Sequence, residues 1–532
     1  MSELAIVNAR IWTGNAARPT AQAVGVASGR IAVVGSDGEV TAAIGRDATV
    51  VDAGGRLVLP GFNDSHVHFL QGGLHLRGVD LRPARDEREF ARLLGDHVAD
   101  VLAGEWVTGG RWDHEAWPGQ RRPNRQLVDR AAPENPVLLS RLDGHIAVAN
   151  TLALERAGVG RDTPDPRGGH IERDPDTGEP TGILIDAAQG LVRREIPEPS
   201  DEQRARAADA AIRHAASLGV TSVHAMGPPD ELRLLRRLEE EGRLHVRARV
   251  ALPDVGAAVE ESRAGAAGGS LVRTGAVKLF ADGSLGAGSA LLFEPYDDQP
   301  TSSGLAIYEE EELRSLVAEA DAAGLQIAMH AIGDRATRMA LDAFQYAAER
   351  NGRRGARHRV EHAQVVQPED RARFARVGVI ASVQPSHCTD DMRWVGKRLG
   401  ARTRFAYPYR SLVDAGARVA LGTDWPVEAL DPLISIHAAV TRQSPAGEPD
   451  GGWHPEERVS LAEAVRDYTL GSAFAEFQEQ NKGSIEAGKL ADMVILSRDL
   501  FAIPPEEIPG VQVEMTILGG RVVYERAVSG SR

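Results

Sequence analysis

The sequence predicts an α/β fold: a TIM-type (β/α)8 barrel, joined to a small β-sandwich domain built from both chain ends and carrying an insertion after the first barrel strand. Three observations predict it. Through the middle of the chain, short apolar strands alternate with longer Ala/Glu/Arg-rich helical stretches, the pattern of a parallel sheet covered by helices. Eight such strands can be read off. Both ends are β-rich instead, and neither holds enough strands for a sandwich of its own. Apolar residues make up 42% and charged residues 26% of the 532 positions, which suits a chain that buries a large core.

In chain order, residues 4–8, 24–26, 31–34 and 50–51 are β-branched runs separated by Gly-rich turns such as Ser28-Gly29-Arg30. Residues 492–496, 511–518 and 519–524 read similarly at the other end. Pairing the two ends closes strand edges that would otherwise stay exposed, so residues 1–57 and 484–532 are expected to form one domain and 58–483 the barrel. Barrel strands are predicted at 57–62, 221–225, 246–252, 276–280, 326–330, 359–362, 379–383 and 418–423, with helices such as 311–323 and 335–350 between them. The interval after the first strand is too long for a simple crossover. Residues from about 72 to 205 therefore form an insertion, with strands of its own at 106–109 and 137–142.

Acidic residues outnumber basic ones, 76 against 61, for a net charge of −15; a nucleic-acid binder would show a basic footprint instead. The single cysteine, Cys388, excludes an intrachain disulfide and any multi-cysteine metal site. No apolar run reaches the ~18 residues of a membrane helix, and the first residues, MSELAIVNARIW, lack the regions of a secretory signal. The expectation is a cytoplasmic protein with a small-molecule substrate and no nucleic-acid or membrane partner; a homodimer is compatible with it.

The chemistry-bearing residues gather at predicted strand ends. His66-Val67-His68 follows the first apolar run, and alternation along an extended chain puts both imidazoles on one face, able to share a metal ion. Lys278 lies in the fourth strand, His330 ends the fifth, Glu361-His362 the sixth, and Gly422-Thr423-Asp424 follows the eighth. In a barrel of this kind, catalytic groups converge at the C-terminal strand ends. Lys278 stands out further, because the chain has only four lysines against 57 arginines. A protonated amine would repel a cation, whereas carbamylation by CO2 turns it into a carboxylate that can bridge two metals. The alternative is a buried lysine paired with Asp282.

Two patterns point elsewhere. His358-Arg359-Val360-Glu361-His362 matches an H-x-x-E-H peptidase motif, but that motif needs a helix, and Gly355, Pro368 and the surrounding valines favour a strand. Gly283-Ser284-Leu285-Gly286-Ala287-Gly288 looks like a phosphate loop yet lacks the Walker lysine and Rossmann spacing. It reads as a turn beside Lys278.

The run from Pro60 to His68 resembles the first-strand signature of the amidohydrolase superfamily of metal-dependent hydrolases. Gly422-Thr423-Asp424 resembles its eighth-strand aspartate, and the run from Lys482 to Asp492 the re-entry into its small β domain. The runs 141–145, 278–286 and 382–387 resemble the YtcJ-like group, which includes N-substituted formamide deformylase. The resemblance implies a divalent metal centre, zinc by its ligand chemistry, of one or two ions. His66, His68, His330, His362 and Asp424 would be its ligands, with carboxylated Lys278 bridging. It further implies that Asp424 orients the hydroxide and carries its proton to the leaving nitrogen. His145 is either an oxyanion donor or a structural turn histidine, and His387 and Trp425 either line the substrate pocket or pack at strand ends. Where the group often has an acidic residue after the second strand, this chain has His224-Ala225. The implied activity is hydrolysis of a non-peptide carbon–nitrogen bond, in an N-formyl or N-acyl amine or a cyclic amide. The same site would suit an ester, lactone or phosphotriester, and a non-catalytic barrel scaffold is the reading from outside enzymology.

Overall fold

The computed structural model describes residues 3–45, 48–114, 117–141, 146–166, 169–263 and 271–527. They fall into two compact units, Met1–Gly72 with Ala211–Arg532, and Gly73–Ala210.

The first unit holds an eight-stranded parallel sheet in sequential order: β1 (Phe62–Val67), β2 (Val220–Met226), β3 (Arg247–Leu252), β4 (Val272–Phe280), β5 (Gln326–Ala331), β6 (Arg359–His362), β7 (Ile380–Val383) and β8 (Arg418–Leu421). Every residue of β1, β2, β3, β6 and β7 is buried, as expected for strands covered on both faces. Helices such as Glu310–Ala322 and Asp334–Asn351 fall between strands. The two edge strands meet just beyond β8. The Asp424 amide donates to the His66 carbonyl at 2.7 Å and the His68 amide to the Trp425 carbonyl at 2.8 Å. Asp64 reinforces this seam, accepting from the Thr423 amide and hydroxyl and from the Tyr468 hydroxyl. Gly422 is required there, since a Cβ would stand 2.7 Å from the His66 nitrogen.

The sequence expectation for the first strand needs a correction. The apolar run 57–62 divides between two sheets: Leu57–Pro60 pairs antiparallel with Met493–Leu496, while the barrel strand is Phe62–Val67. Gly61 marks the crossing, where a Cβ would lie 2.3 Å from the Thr221 side chain. Apolar patterning missed β1 because Asn63, Asp64 and Ser65 are buried by hydrogen bonding rather than by hydrophobicity.

Two further sheets belong to this unit. One runs Arg30–Gly35, Ala23–Ala27, Leu4–Val7, Thr49–Asp52; the other interleaves both chain ends as Arg521–Glu525, Val513–Leu518, Met493–Leu496, Leu57–Pro60, Arg10–Trp12, Thr20–Ala21. Leu4, Ile6, Val24 and Val26 pack with Ile11, Val58, Met493 and Ile517 in one core. Residue 58 thus lies inside a strand of this sheet.

The second unit is built on a six-stranded sheet, Gly169–Arg173, Pro180–Asp186, Ile146–Ala149, Leu138–Arg141, Gly109–Trp112, Val79–Asp80. Phe90, Leu94, Trp112, Val128 and Leu139 fill its core. The strand expected at 106–109 forms instead at Gly109–Trp112, and Val107 contributes only an isolated bridge to Val137.

Candidate metal centre

His66 ends β1 with its Nδ1 2.6 Å from Glu361 Oε2. A carboxylate can only accept, so Nδ1 carries the hydrogen and the bare Nε2 faces inward. Arg359 fixes that carboxylate, at 2.7 Å from Oε1 and 3.0 Å from Oε2. Burial opposes the charge on Glu361, and the Arg359 guanidinium nevertheless holds its carboxyl well below the usual range. His362, at the end of β6, is set the same way: its Nδ1 donates to Gln384 Oε1 at 2.9 Å. Gln384 in turn donates to the Ser382 carbonyl, which fixes which end of its amide faces the ring.

Barrel closure brings Asp424 against these rings. Its Oδ1 is 3.5 Å from His66 Nε2 and 3.3 Å from His68 Nε2, and its Oδ2 is 3.7 Å from His387 Nε2. His66, His362 and Asp424 offer ligand atoms within 4.8 Å of one another. His330 packs beside them, its ring centroid 4.6 Å from that of His362. Its Nε2 donates to the Gly283 carbonyl at 3.0 Å, which leaves Nδ1 bare. Asp424 and His362 both hold positive φ, 59° and 75°, a conformation costly for non-glycine residues and concentrated at functional sites.

Lys278 lies 4% exposed among these groups, and its amine has no hydrogen-bond partner among the described residues. It is not paired with Asp282, which accepts instead from the backbone amides of Leu291, Ile332 and Gly333. Burial pulls the Lys278 amine down to about 8. Burial, helped by the Lys278 charge, lowers His66 to about 4 and His330 to about 3, and pushes His362 well below its ordinary value. All three rings are therefore neutral at pH 7, the form that binds metal. Burial opposes ionisation of Asp424 too, but the imidazoles of His66 and His68 beside it hold its carboxyl well below the usual range.

These groups line a cavity of about 440 Å³, within the usual ligand-binding range. Phe280, Leu285, Trp394 and Val427 supply an apolar wall, and His387 lines the cavity as well. Trp425 does not. It packs behind the site against Phe69 and His214, over Gly72, where a Cβ would meet its ring at 2.3 Å. His145 lies outside the described residues. His224, at strand two, is committed to the barrel interior: Arg359 donates to its Nδ1 at 2.6 Å, and its Nε2 is 3.3 Å from Glu476. The H-x-x-E-H pattern lies along a strand, with His358 turned to Asp321 and Phe344. Sequence reading assigned no role to Glu361, Gln384 or Gln364. Alternation along β6 signals that Glu361 and His362 face opposite ways, but nothing local signals either glutamine.

Among the described residues, the buried polar atoms without a hydrogen-bond partner include His66 Nε2, Lys278 Nζ, Asp424 Oδ1 and His387 Nε2 at this site. Buried polar atoms are usually paired, and the bare Nε2 atoms of His66 and His362 together with the Asp424 carboxylate form a donor set that suits a divalent cation. The residues fit a metal. A (β/α)8 barrel with such a group at its C-terminal strand ends defines a metal-dependent hydrolase. Residues 49–524 match the amidohydrolase family model. The chain is 38% identical to Protein LONG AFTER FAR-RED 3 of Arabidopsis thaliana, over 98% of this chain and 92% of that one. It is 32% identical to the putative amidohydrolase YtcJ of Bacillus subtilis over 90% of each, and 32% identical to N-substituted formamide deformylase of Arthrobacter pascens over 99% of each. An uncharacterized metal-dependent hydrolase from Pyrococcus horikoshii superposes with a TM-score of 0.77 at 29% identity, covering 95% of this chain and 99% of that one. The chain belongs to the amidohydrolase family.

Proposed function

We propose that the protein hydrolyses the carbon–nitrogen bond of a small N-formyl or N-acyl amine. The observation that carries this reading is the set of inward-facing donors on His66, His362 and Asp424, gathered in a cavity with an apolar wall, with His66 Nε2 and Asp424 Oδ1 buried without a hydrogen-bond partner among the described residues. His66, His68, His330, His362 and Asp424 would hold the metal. Zinc suits their chemistry, and a carboxylated Lys278 would bridge a second ion. The amine is buried and unpaired, and its lowered pKa raises the fraction of the neutral form that reacts with CO2. A bound divalent ion supplies an acidified water and polarises the scissile carbonyl.

The chain's own residues do the rest. Asp424 takes the proton of the attacking water and passes it to the leaving nitrogen, which departs as a neutral amine. Glu361 and Gln384 hold His66 and His362 in their metal-binding tautomers. Phe280, Leu285, Trp394 and Val427 exclude water around an apolar N-substituent. The likeness to a formamide deformylase supports this substrate class.

The test is a screen of N-formyl and N-acyl amines, lactones, esters and phosphotriesters with zinc-loaded protein. Turnover of amides above the other classes is the expected outcome. Preferential turnover of lactones or phosphotriesters would overturn the substrate class.

A further inference from the structure

Three histidines around Asp424, His66, His362 and His387, are not equivalent. His66 and His362 each meet an oxygen acceptor at Nδ1, so their Nε2 atoms are bare. His387 meets a nitrogen. Gln364 Nε2 lies 3.2 Å from His387 Nδ1, and an amide nitrogen only donates. Nδ1 of His387 is therefore an acceptor, and the ring hydrogen must reside on Nε2. That Nε2–H is buried in a side chain only 9% exposed, 3.7 Å from Asp424 Oδ2, and has no hydrogen-bond partner among the described residues. Its ring stacks on that of His362 with centroids 5.9 Å apart, and Gln364 and His387 both line the cavity.

We infer that Gln364 fixes the His387 ring hydrogen on Nε2, so that His387 is an Nε2–H donor that binds the carbonyl oxygen of the scissile amide as it gains charge, and that His387 is not a metal ligand. A hydrogen on Nε2 blocks the lone pair a cation would need. The same hydrogen, held by a ring already locked in place, stabilises a developing oxyanion at no cost in reorganisation. No proton leaves the ring, because Asp424 carries the transferred one. His387 is thus a catalytic residue and Gln364 a positioning residue. The inference rests on the hydrolase reading above, and the acyl group's carbonyl oxygen is its only requirement of the substrate.

The test compares wild type with Gln364→Glu and His387→Phe. A carboxylate at position 364 demands a hydrogen on Nδ1 and strips it from Nε2. Both proteins are measured at about pH 9, well above the range in which an ordinary imidazole takes up a proton. The first readout is the 15N spectrum of histidine-labelled protein, with His387 assigned by its loss in His387→Phe. Wild type should show a protonated Nε2 and Gln364→Glu a protonated Nδ1. The second is turnover of an amide and an ester sharing one acyl group, alongside metal content. Both variants should lose on the order of 10²–10³-fold in kcat on whichever substrate the wild type turns over, with KM and bound metal little changed. Wild-type His387 protonated on Nδ1 would overturn the inference whatever the activity. So would unchanged kcat in either variant, or loss of metal in step with activity. Preference for the ester would overturn the amide reading alone, since both substrates present the same carbonyl oxygen.

Discussion

Lys278 is the residue whose chemistry the fold constrains most tightly. Its amine is buried without a hydrogen bond in a chain that has 57 arginines and only four lysines, and an unpaired buried ammonium is costly. Lys278→Ala should lose most bound metal and turnover, and Lys278→Arg should fail as well, because a guanidinium stays protonated and cannot be carboxylated. Metal analysis of both variants checks this; normal metal content and turnover in Lys278→Arg would make the lysine structural. Glu361 acts on the site through His66 Nδ1. Glu361→Gln should weaken metal affinity by about 10–100-fold, the usual effect of loosening a ligand's hydrogen-bond partner, as measured by competition with a chelating dye. Glu231 allows a pH test. It is buried, accepts from the Leu70 amide, and is pushed by burial from 4.5 up to about 7. Between pH 4.5 and 7 the folded chain keeps a proton that the unfolded chain has released, so stability is lost as pH rises through that window. Glu231→Gln keeps an acceptor and does not titrate. Its Tm advantage over wild type should grow from pH 4.5 to 7 and then level off, with a free-energy gain on the order of 3 kcal/mol. A difference that is flat with pH would refute the shift.

Among the elements, β1 was read least well and β6 best. The strand at 359–362 emerges with the same bounds, because valine and the flanking Gly355 and Pro368 mark it locally. β1 carries Asn63-Asp64-Ser65-His66, whose burial depends on partners far along the chain, including Thr423, Tyr468 and Glu476. The segment after the barrel contributes at this scale too. Lys482 is buried with its amine 2.6 Å from Glu476 and donates to the Ser222 hydroxyl of β2. Removing one partner of such a pair strands the other charge, so Lys482→Met should destabilise the fold by about 3–5 kcal/mol, read from denaturant unfolding. A change below about 1 kcal/mol, the range of exposed pairs, would show that water reaches this pair.

For the whole molecule, metal binding and stability are linked. A ligand that binds only the folded state adds about 4 kcal/mol at a concentration 1,000 times its Kd. Chelated protein should therefore show both a lowered Tm and no turnover, and zinc should restore the two together. Full activity in metal-free protein would sink the metal centre. No helix among the described residues is long and apolar enough to cross a membrane.

The sequence by itself determined the strand–helix alternation, seven of the eight barrel strands, and the candidate ligands at their ends, because periodicity and residue chemistry are local properties. The resemblance carried by its motifs reached the family. Tertiary structure alone decided which of those residues meet. Asp424 touches His66 and His68 only because backbone bonds close the sheet between residues some 360 positions apart. Only the fold shows that Trp425 packs behind the cavity while His387 lines it. The tautomers also belong to tertiary structure. Whether an imidazole nitrogen binds a cation or offers a hydrogen depends on the atom facing its other nitrogen. Here those atoms are Glu361 Oε2, Gln384 Oε1 and Gln364 Nε2, which lie 295, 22 and 23 positions along the chain from the rings they meet.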